Sequence, residues 1–336
     1  MSGPAFLTGG SGFVGGDLLR RLIAEGREVR ALARSPQAAT AVESAGATAI
    51  RGDLFDDDVL QRGLAGCSVA FHVAGMSTLC PRDPASMLRT NVDGTESVIR
   101  AAHRAGVARV IHTSSAAAIG EAAGAIGRED TTHRGSFLST YERSKFLAEE
   151  LAFTLGSELG IEIVAVNPSS VQGPGRTEGS ARLLLRVVEA RLPAIVDTFV
   201  SIVDIEDCTT GHLLAETQGR AGERYLLNGA TLTTAQAVRS VRAVAGRPRH
   251  VVRLPRRTAT VAGAVAGWTT RLTGRALPFC PELARTLLHG HRYDGSRAER
   301  ELGLSYTPIE ETVARTLAWY ADRGLIRPLR PEVGVR

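Results

Sequence analysis

The chain has 336 residues, 43% of them hydrophobic and 22% charged, which is enough for one large domain or two modest ones with a sizeable core. A formal charge of +5 invites nucleic acid as a partner, but the arginines are spread along the chain and only 5% of residues are aromatic, so no nucleic-acid binding is expected. Four widely spaced cysteines (Cys67, Cys80, Cys208 and Cys280) form no CxxC pair and read as reduced thiols of a cytoplasmic protein, with no disulfide or zinc framework.

The first predicted strand, "AFLT" from Ala5 to Thr8, runs into a glycine-rich turn too soon to leave room for a signal peptide. A helical stripe follows, with Val14, Leu18, Leu19, Leu22 and Ile23 on one face, and Gly26 ends it. The runs "VRALA", "TAIRGD", "VAFHVAG", "RVIHTSS" and "IEIVAVNP" come next, each separated by ten or more residues of helical period or composition. Strands joined by such long crossovers must be parallel, so the fold class is α/β, a doubly wound Rossmann-type parallel sheet. After Pro168 the rhythm breaks at the Gly/Pro-rich "SSVQGPGRTEG", returns as strand then helix in "FVSIVDIEDCTTGHLLA", and turns mostly helical from about Thr231. This divides the chain into a dinucleotide-binding domain of residues 1–167, rejoined by 200–229, and a smaller substrate cap of 168–199 and 230–336. The stretch "TATVAGAVAGW", Thr258 to Trp268, is too short and too rich in Thr, Gly and Ala to span a bilayer. Its arginine-rich flank reads as a solvated face, so membrane contact is not expected.

"TGGSGFVGG" sits between the first strand and the first helix. Gly10, Gly12 and Gly15 satisfy GxGxxG, and Gly9, Gly12 and Gly15 satisfy the TGxxGxxG variant. Glycines there allow the tight turn and a close backbone approach to a pyrophosphate, which the helix N-terminus then attracts. Thr8, Gly9, Gly10, Ser11, Gly12, Phe13, Val14 and Gly15 are therefore candidate cofactor-binding residues. Where an acidic residue would grip the adenosine ribose, the second strand ends with Arg34. A guanidinium pairs with a 2′-phosphate that a carboxylate would repel, which favours NADP(H) over NAD(H); an ordinary exposed arginine at a strand end is the alternative. Asp53, followed by Leu54, is a candidate acceptor for the adenine amino group, or else a helix cap ahead of "FDDDVL".

Lys145 is the only lysine in a chain whose other cations are arginines, and it lies four residues after Tyr141 on the same predicted helix face. An ammonium near a phenol can lower its pKa by roughly 1–3 units, making tyrosine a usable acid–base near neutral pH. "HTSS" ends the fifth strand and puts Ser115 at the carboxyl edge of the sheet, where folds of this class bind ligands. His289 and His291 could ligate a metal, but no third ligand is near in sequence, so surface histidines and no metal site are expected. Asp204, Glu206 and Asp207 fit a strand-to-helix junction with capping acids better than a catalytic carboxylate pair.

Over its first 230 residues or so the chain resembles the extended short-chain dehydrogenase/reductases. The matching stretches are "TGGSGFVGG", "GDL", "FHVAG", "TNVDGT", "HTSSAAAIG", "YERSK", "NPSSVQGPG" and "VDIEDCTTGHLLA", in family order. The resemblance implies a Ser-Tyr-Lys triad of Ser115, Tyr141 and Lys145, with the lysine also holding the nicotinamide ribose. It implies that Val73, Ala74 and Gly75 line the cofactor cleft, that Asn91 sits in the helix behind it, and that Pro168, Ser169 and Ser170 lie along the nicotinamide. It further implies a homodimer. Thr113 is followed by Ser114, Ser115 and Ala116, so the Asp-Glu pair of the family's sugar-nucleotide dehydratases is missing. The pattern is closer to dihydroflavonol-reductase-like and 3β-hydroxysteroid-dehydrogenase-like members, which interconvert ketones and secondary alcohols of small apolar molecules. A sugar-nucleotide epimerase needs only the same triad and stays open. A non-catalytic dinucleotide sensor is a third reading, although such relatives lose the tyrosine or lysine that this chain keeps.

Overall fold

Alternation of small and large apolar residues along the strands builds two cores, one on each face of a single sheet. Ala5 and Leu7 of the first strand enter one core and Phe6 enters the other; Val69 and Phe71 part from Ala70, and Ile111 parts from Val110, in the same way. A strand covered on both faces needs apolar side chains on both, and these stretches supply them. The computed structural model describes residues 3–177, 180–189, 194–246, 252–255, 258 and 280–327.

The main sheet joins β1 (Ala5–Thr8), β2 (Val29–Ala33), β3 (Thr48–Arg51), β4 (Val69–His72), β5 (Arg109–Thr113), β6 (Glu162–Pro168) and β10 (Arg224–Leu227). Their order is β10-β6-β5-β4-β1-β2-β3, and every pairing is parallel. On one face lie α1 (Phe13–Ala24) and α8 (Ile205–Gln218); on the other lie α3 (Asp57–Leu64), α5 (Gly94–Arg104) and α6 (Thr140–Leu159). The chain leaves β1 toward β2 and β3 on one side and toward β4, β5 and β6 on the other. A crevice therefore opens at the carboxyl ends of β1 and β4, the topological switch point.

A smaller sheet joins β7 (Ser170–Gln172), β9 (Phe199–Asp204) and β11 (Ala230–Thr233) in the order β11-β9-β7. A two-stranded pairing joins β8 (Ala194–Val196) to β12 (Val252–Leu254). Here α7 (Ser180–Val188), α9 (Thr234–Val244) and α12 (Ile309–Asp322) bury a third core that includes Val188, Val238, Leu317 and Tyr320. Asp204 caps α8 by accepting from the Glu206 N–H at 2.7 Å, and Asp207 holds Thr307, so these acids serve the junction as their spacing suggested. The remaining helices are α2 (Pro36–Ser44), α4 (Pro84–Leu88), α10 (Pro281–His289) and α11 (Ser296–Leu302).

The expectation of four reduced thiols is corrected. Cys80, in the loop after β4, is bonded to Cys280 at the start of α10, and only Cys67 and Cys208 are free. The two partners are 200 residues apart, and spacing along a chain carries no record of such a meeting. With that bridge, cysteine usage no longer argues for a reducing compartment. Among the described residues no helix is long and apolar enough to cross a membrane. The Thr258 to Trp268 stretch, apart from Thr258, lies outside those residues.

Candidate active site

Thr8, the last residue of β1, anchors the crevice. Its hydroxyl oxygen accepts from the Val73 and Ala74 N–H groups at 3.1 and 3.0 Å and bonds the buried His72 ring at 2.8 Å. The next turn has room only for glycine at two places. Gly9 takes φ 77°, and a Cβ there would stand 2.8 Å from the Ala74 nitrogen; a Cβ on Gly15 would stand 2.2 Å from the Gly9 oxygen. Helix α1 starts at Phe13 with Gly12 as its cap, no side chain satisfies its first N–H groups, and no acid sits in its first turn. Uncapped donors at the positive end of a helix dipole, beside a turn that lets backbone approach, fit the diphosphate of a dinucleotide.

Arg34 is exposed just past β2. It lines a cavity of about 780 Å³ together with Asp53, Phe55, Asp56, Arg89 and Thr90 among others. Helix α3 is capped by Asp56, whose carboxylate accepts from the Val59 N–H, while Asp53 makes a turn with the Phe55 N–H at 3.3 Å. Leu54, between Asp53 and Phe55, is buried. Arg89, whose guanidinium lies 4.7 Å above the Phe55 ring, is a second cation there that the sequence reading did not single out.

Helix α6 carries the other half of the site. Ser139 caps it by accepting from the Glu142 N–H, and Glu142 reaches back to the Leu138 N–H, so the helix begins one residue before Tyr141. Tyr141 is half-buried, with Ser115 near enough to its phenol to influence its acidity. Ser115 follows β5, is 8% exposed, and accepts from the Ala117 N–H at 3.2 Å. Lys145, one turn deeper, is 6% exposed and donates to the Thr113 carbonyl at 2.8 Å. Burial lowers its pKa to about 8, against the opposing pull of Glu149. Burial pushes the Tyr141 phenol up, and the nearby Ser115 hydroxyl and the charge of Arg176 pull it back. The expected lowering of Tyr141 by Lys145 is not seen in the protein alone, because burial outweighs the other influences on the phenol and the ammonium is engaged with Thr113.

Two residues here had escaped notice. Glu149 extends the stripe of Tyr141 and Lys145 by one more turn; it is 1% exposed, pairs with Arg224 at 2.8 Å and accepts from Asn167 at 2.5 Å. The continued spacing of four was the available signal. Arg176 arrives from the Gly/Pro loop after β7, its guanidinium 5.5 Å above the Phe13 ring, and a lone arginine in such a loop gave no signal.

Gly75 completes the fit. A Cβ on it would stand 3.1 Å from the Asn91 side-chain oxygen and 3.2 Å from the Lys145 Nζ, so the absent side chain leaves room between them. Asn91 is 2% exposed; its amide accepts from the Met76 N–H and donates to Met76 and Ser144, tying the loop after β4 to α6. Pro168 ends β6, Ser169 follows it with a buried, unpartnered hydroxyl, and Ser170 opens β7.

The chain is similar to several known proteins. It is 31% identical to a putative dihydroflavonol 4-reductase of Synechocystis sp. over 331 residues, 96% of each chain. It is 34% identical to a 4-hydroxy-2-methyl-3-oxo-4-farnesyl-3,4-dihydroquinoline-1-oxide ketoreductase of Stigmatella aurantiaca over 227 residues, 66% of this chain and 67% of that one. The crystal structure of gox2253 superposes with a TM-score of 0.84 at 30% identity, covering 96% of this chain and 99% of that one. Residues 5–227 match the model of the NAD dependent epimerase/dehydratase family, and the chain belongs to that family, the extended short-chain dehydrogenase/reductases, as one of its NAD(P)-dependent oxidoreductases.

Proposed function

We propose that the protein is an NADP(H)-dependent reductase that interconverts a ketone and a secondary alcohol on a small apolar molecule. The observation that carries this reading is the approach of Ser115, at the end of β5, to the Tyr141 phenol, with Lys145 buried one turn along α6, in a strand end that holds no carboxylate pair. Tyr141 gives its proton to the carbonyl oxygen while Ser115 donates a hydrogen bond to the same atom. Lys145 has three N–H donors and spends one on Thr113, which leaves two for the phenol oxygen and a ribose hydroxyl. When bound, the nicotinamide supplies the hydride. Its diphosphate would be held by the uncapped start of α1, and its 2′-phosphate by Arg34 at the rim of the 780 Å³ cavity. The relative from Stigmatella aurantiaca is called a ketoreductase, which supports the same chemistry. The protein acts, on this reading, as a homodimer.

The test is a screen of apolar ketones and of nucleoside-diphosphate sugars, following the absorbance of NADPH. Consumption of NADPH with ketones is expected. Turnover of a sugar nucleotide with no net cofactor change would make the protein an epimerase instead, and no turnover of any substrate by a cofactor-binding protein would favour a sensor.

A further inference from the structure

Outside the crevice, three ligand-type side chains meet in a place the reaction does not use. Glu121, His289 and His291 bring one oxygen and two ring nitrogens to within 4.8 Å of one another. The carboxylate comes from the loop after β5 and the imidazoles from the end of α10. Gly290 between the histidines takes φ 72°, which reverses the chain so that both rings face the same carboxylate.

The hydrogen bonds of this cluster do not close. His291 Nδ1 stands 2.7 Å from Glu121 Oε1, and the Tyr293 hydroxyl approaches the same nitrogen at 2.9 Å. His289 Nε2 stands 3.2 Å from that oxygen without hydrogen-bond geometry. Glu121 Oε2 has no partner either, although the Glu121 side chain is only 1% exposed and that of His289 only 6%. One carboxylate oxygen thus faces two nitrogens, and two buried polar atoms are left over. Buried polar atoms without partners are costly, and native proteins rarely tolerate two together. A cation among the three groups would satisfy both carboxylate oxygens and both nitrogens at once. Two imidazoles and one carboxylate suit first-row divalent ions such as Zn²⁺, with Tyr293 or a water as a further ligand. The surroundings are braced as an ion site requires. Arg134 donates to the Glu121 carbonyl at 3.1 Å, and Ser201 donates to the His291 carbonyl at 3.1 Å.

We propose that Glu121, His289 and His291 bind one divalent transition-metal ion, which clasps the C-terminal segment onto the loop that descends from Ser115. The clasp is structural. Arg134 also pairs with Glu142, the neighbour of Tyr141, so the ion steadies the frame of the site without touching reacting atoms.

The experiment uses the whole protein, freed of any affinity tag and stripped with chelator. Titration with Co²⁺, read by its visible ligand-field bands, and with Zn²⁺, read by calorimetry, is expected to give one ion per chain with a Kd at or below about 1 µM. Zn²⁺ should raise the Tm, and His289→Gln and His291→Gln should each weaken binding at least about a hundredfold. X-ray absorption of the Zn²⁺-loaded wild type reads the ligand set without any variant, and two imidazoles with oxygen are expected. No one-to-one binding by the folded wild type, sulfur in the coordination shell, or binding unchanged in both glutamine variants overturns the site.

Discussion

Helix α6 and the cluster at Glu121 both gather largely buried polar side chains, yet they are built in opposite ways. Along α6, Tyr141, Lys145 and Glu149 recur every four residues, so a single helix aligns them and its cap at Ser139 sets where they point. The two charged groups have partners, Thr113 for the ammonium and Arg224 and Asn167 for the carboxylate, and Ser115 lies near the phenol. At the cluster, Glu121 and His291 are 170 residues apart, and two polar atoms remain without partners. Along the stripe the buried ammonium and carboxylate are each satisfied by the protein itself. The cluster is complete only as a cradle for something else. A buried polar network is therefore worth reading for what it leaves unpaired as much as for what it pairs.

The comparison breaks if the stripe is merely structural. Lys145→Arg keeps a positive charge but replaces a compact ammonium with a planar fork that cannot occupy the same point. It and Tyr141→Phe are each expected to lose roughly 10²–10⁴ in single-turnover rate. Both should melt within a few degrees of the parent. Activity of Lys145→Arg within a few-fold of wild type would remove the lysine from the chemistry.

Acid sharpens the contrast from the other side of the stripe. His212 on α8 bonds the Thr113 hydroxyl at 2.9 Å, backing the residue whose carbonyl holds Lys145, and burial lowers its pKa to about 4. A histidine whose folded pKa is depressed contributes stability that is fully present above its unfolded value near 6.5 and is lost as pH falls toward the folded value. The loss attributable to this group between pH 6.5 and 4 is on the order of 3 kcal/mol. Urea unfolding of wild type and His212→Gln should show the two converging as pH falls across that window. A pH-independent difference between them would show that His212 is not held neutral by the fold.

The smallest effect belongs to the rim of the crevice, where charge meets solvent. If Arg34 pairs with a 2′-phosphate there, Arg34→Ala should weaken NADPH binding by about 1–3 kcal/mol and leave NADH nearly unchanged. Cofactor titrations of both proteins measure this, and equal losses for the two cofactors would take the 2′-phosphate away from Arg34.

Local spacing determined a great deal by itself. Apolar runs separated by helix-length segments could only make a parallel sheet, and the glycines at 9, 12 and 15 announced a turn in which a side chain would strike backbone. Tyr141 and Lys145 were legible for the same reason, since a helix converts a spacing of four into a shared face. Asp53 and Asp56 show the limit of such reading, because three aspartates follow within a few residues of one another and only folding chose Asp56 as the cap. The tertiary structure alone decided the rest: the Cys80–Cys280 bridge, Arg176 within electrostatic reach of the Tyr141 phenol, and Glu121 against the two histidines. Each of these joins segments that are far apart along the chain. Short-range periodicity fixes which face a residue occupies, whereas the closure of long loops depends on how whole layers pack, and no residue pattern at either end records that outcome.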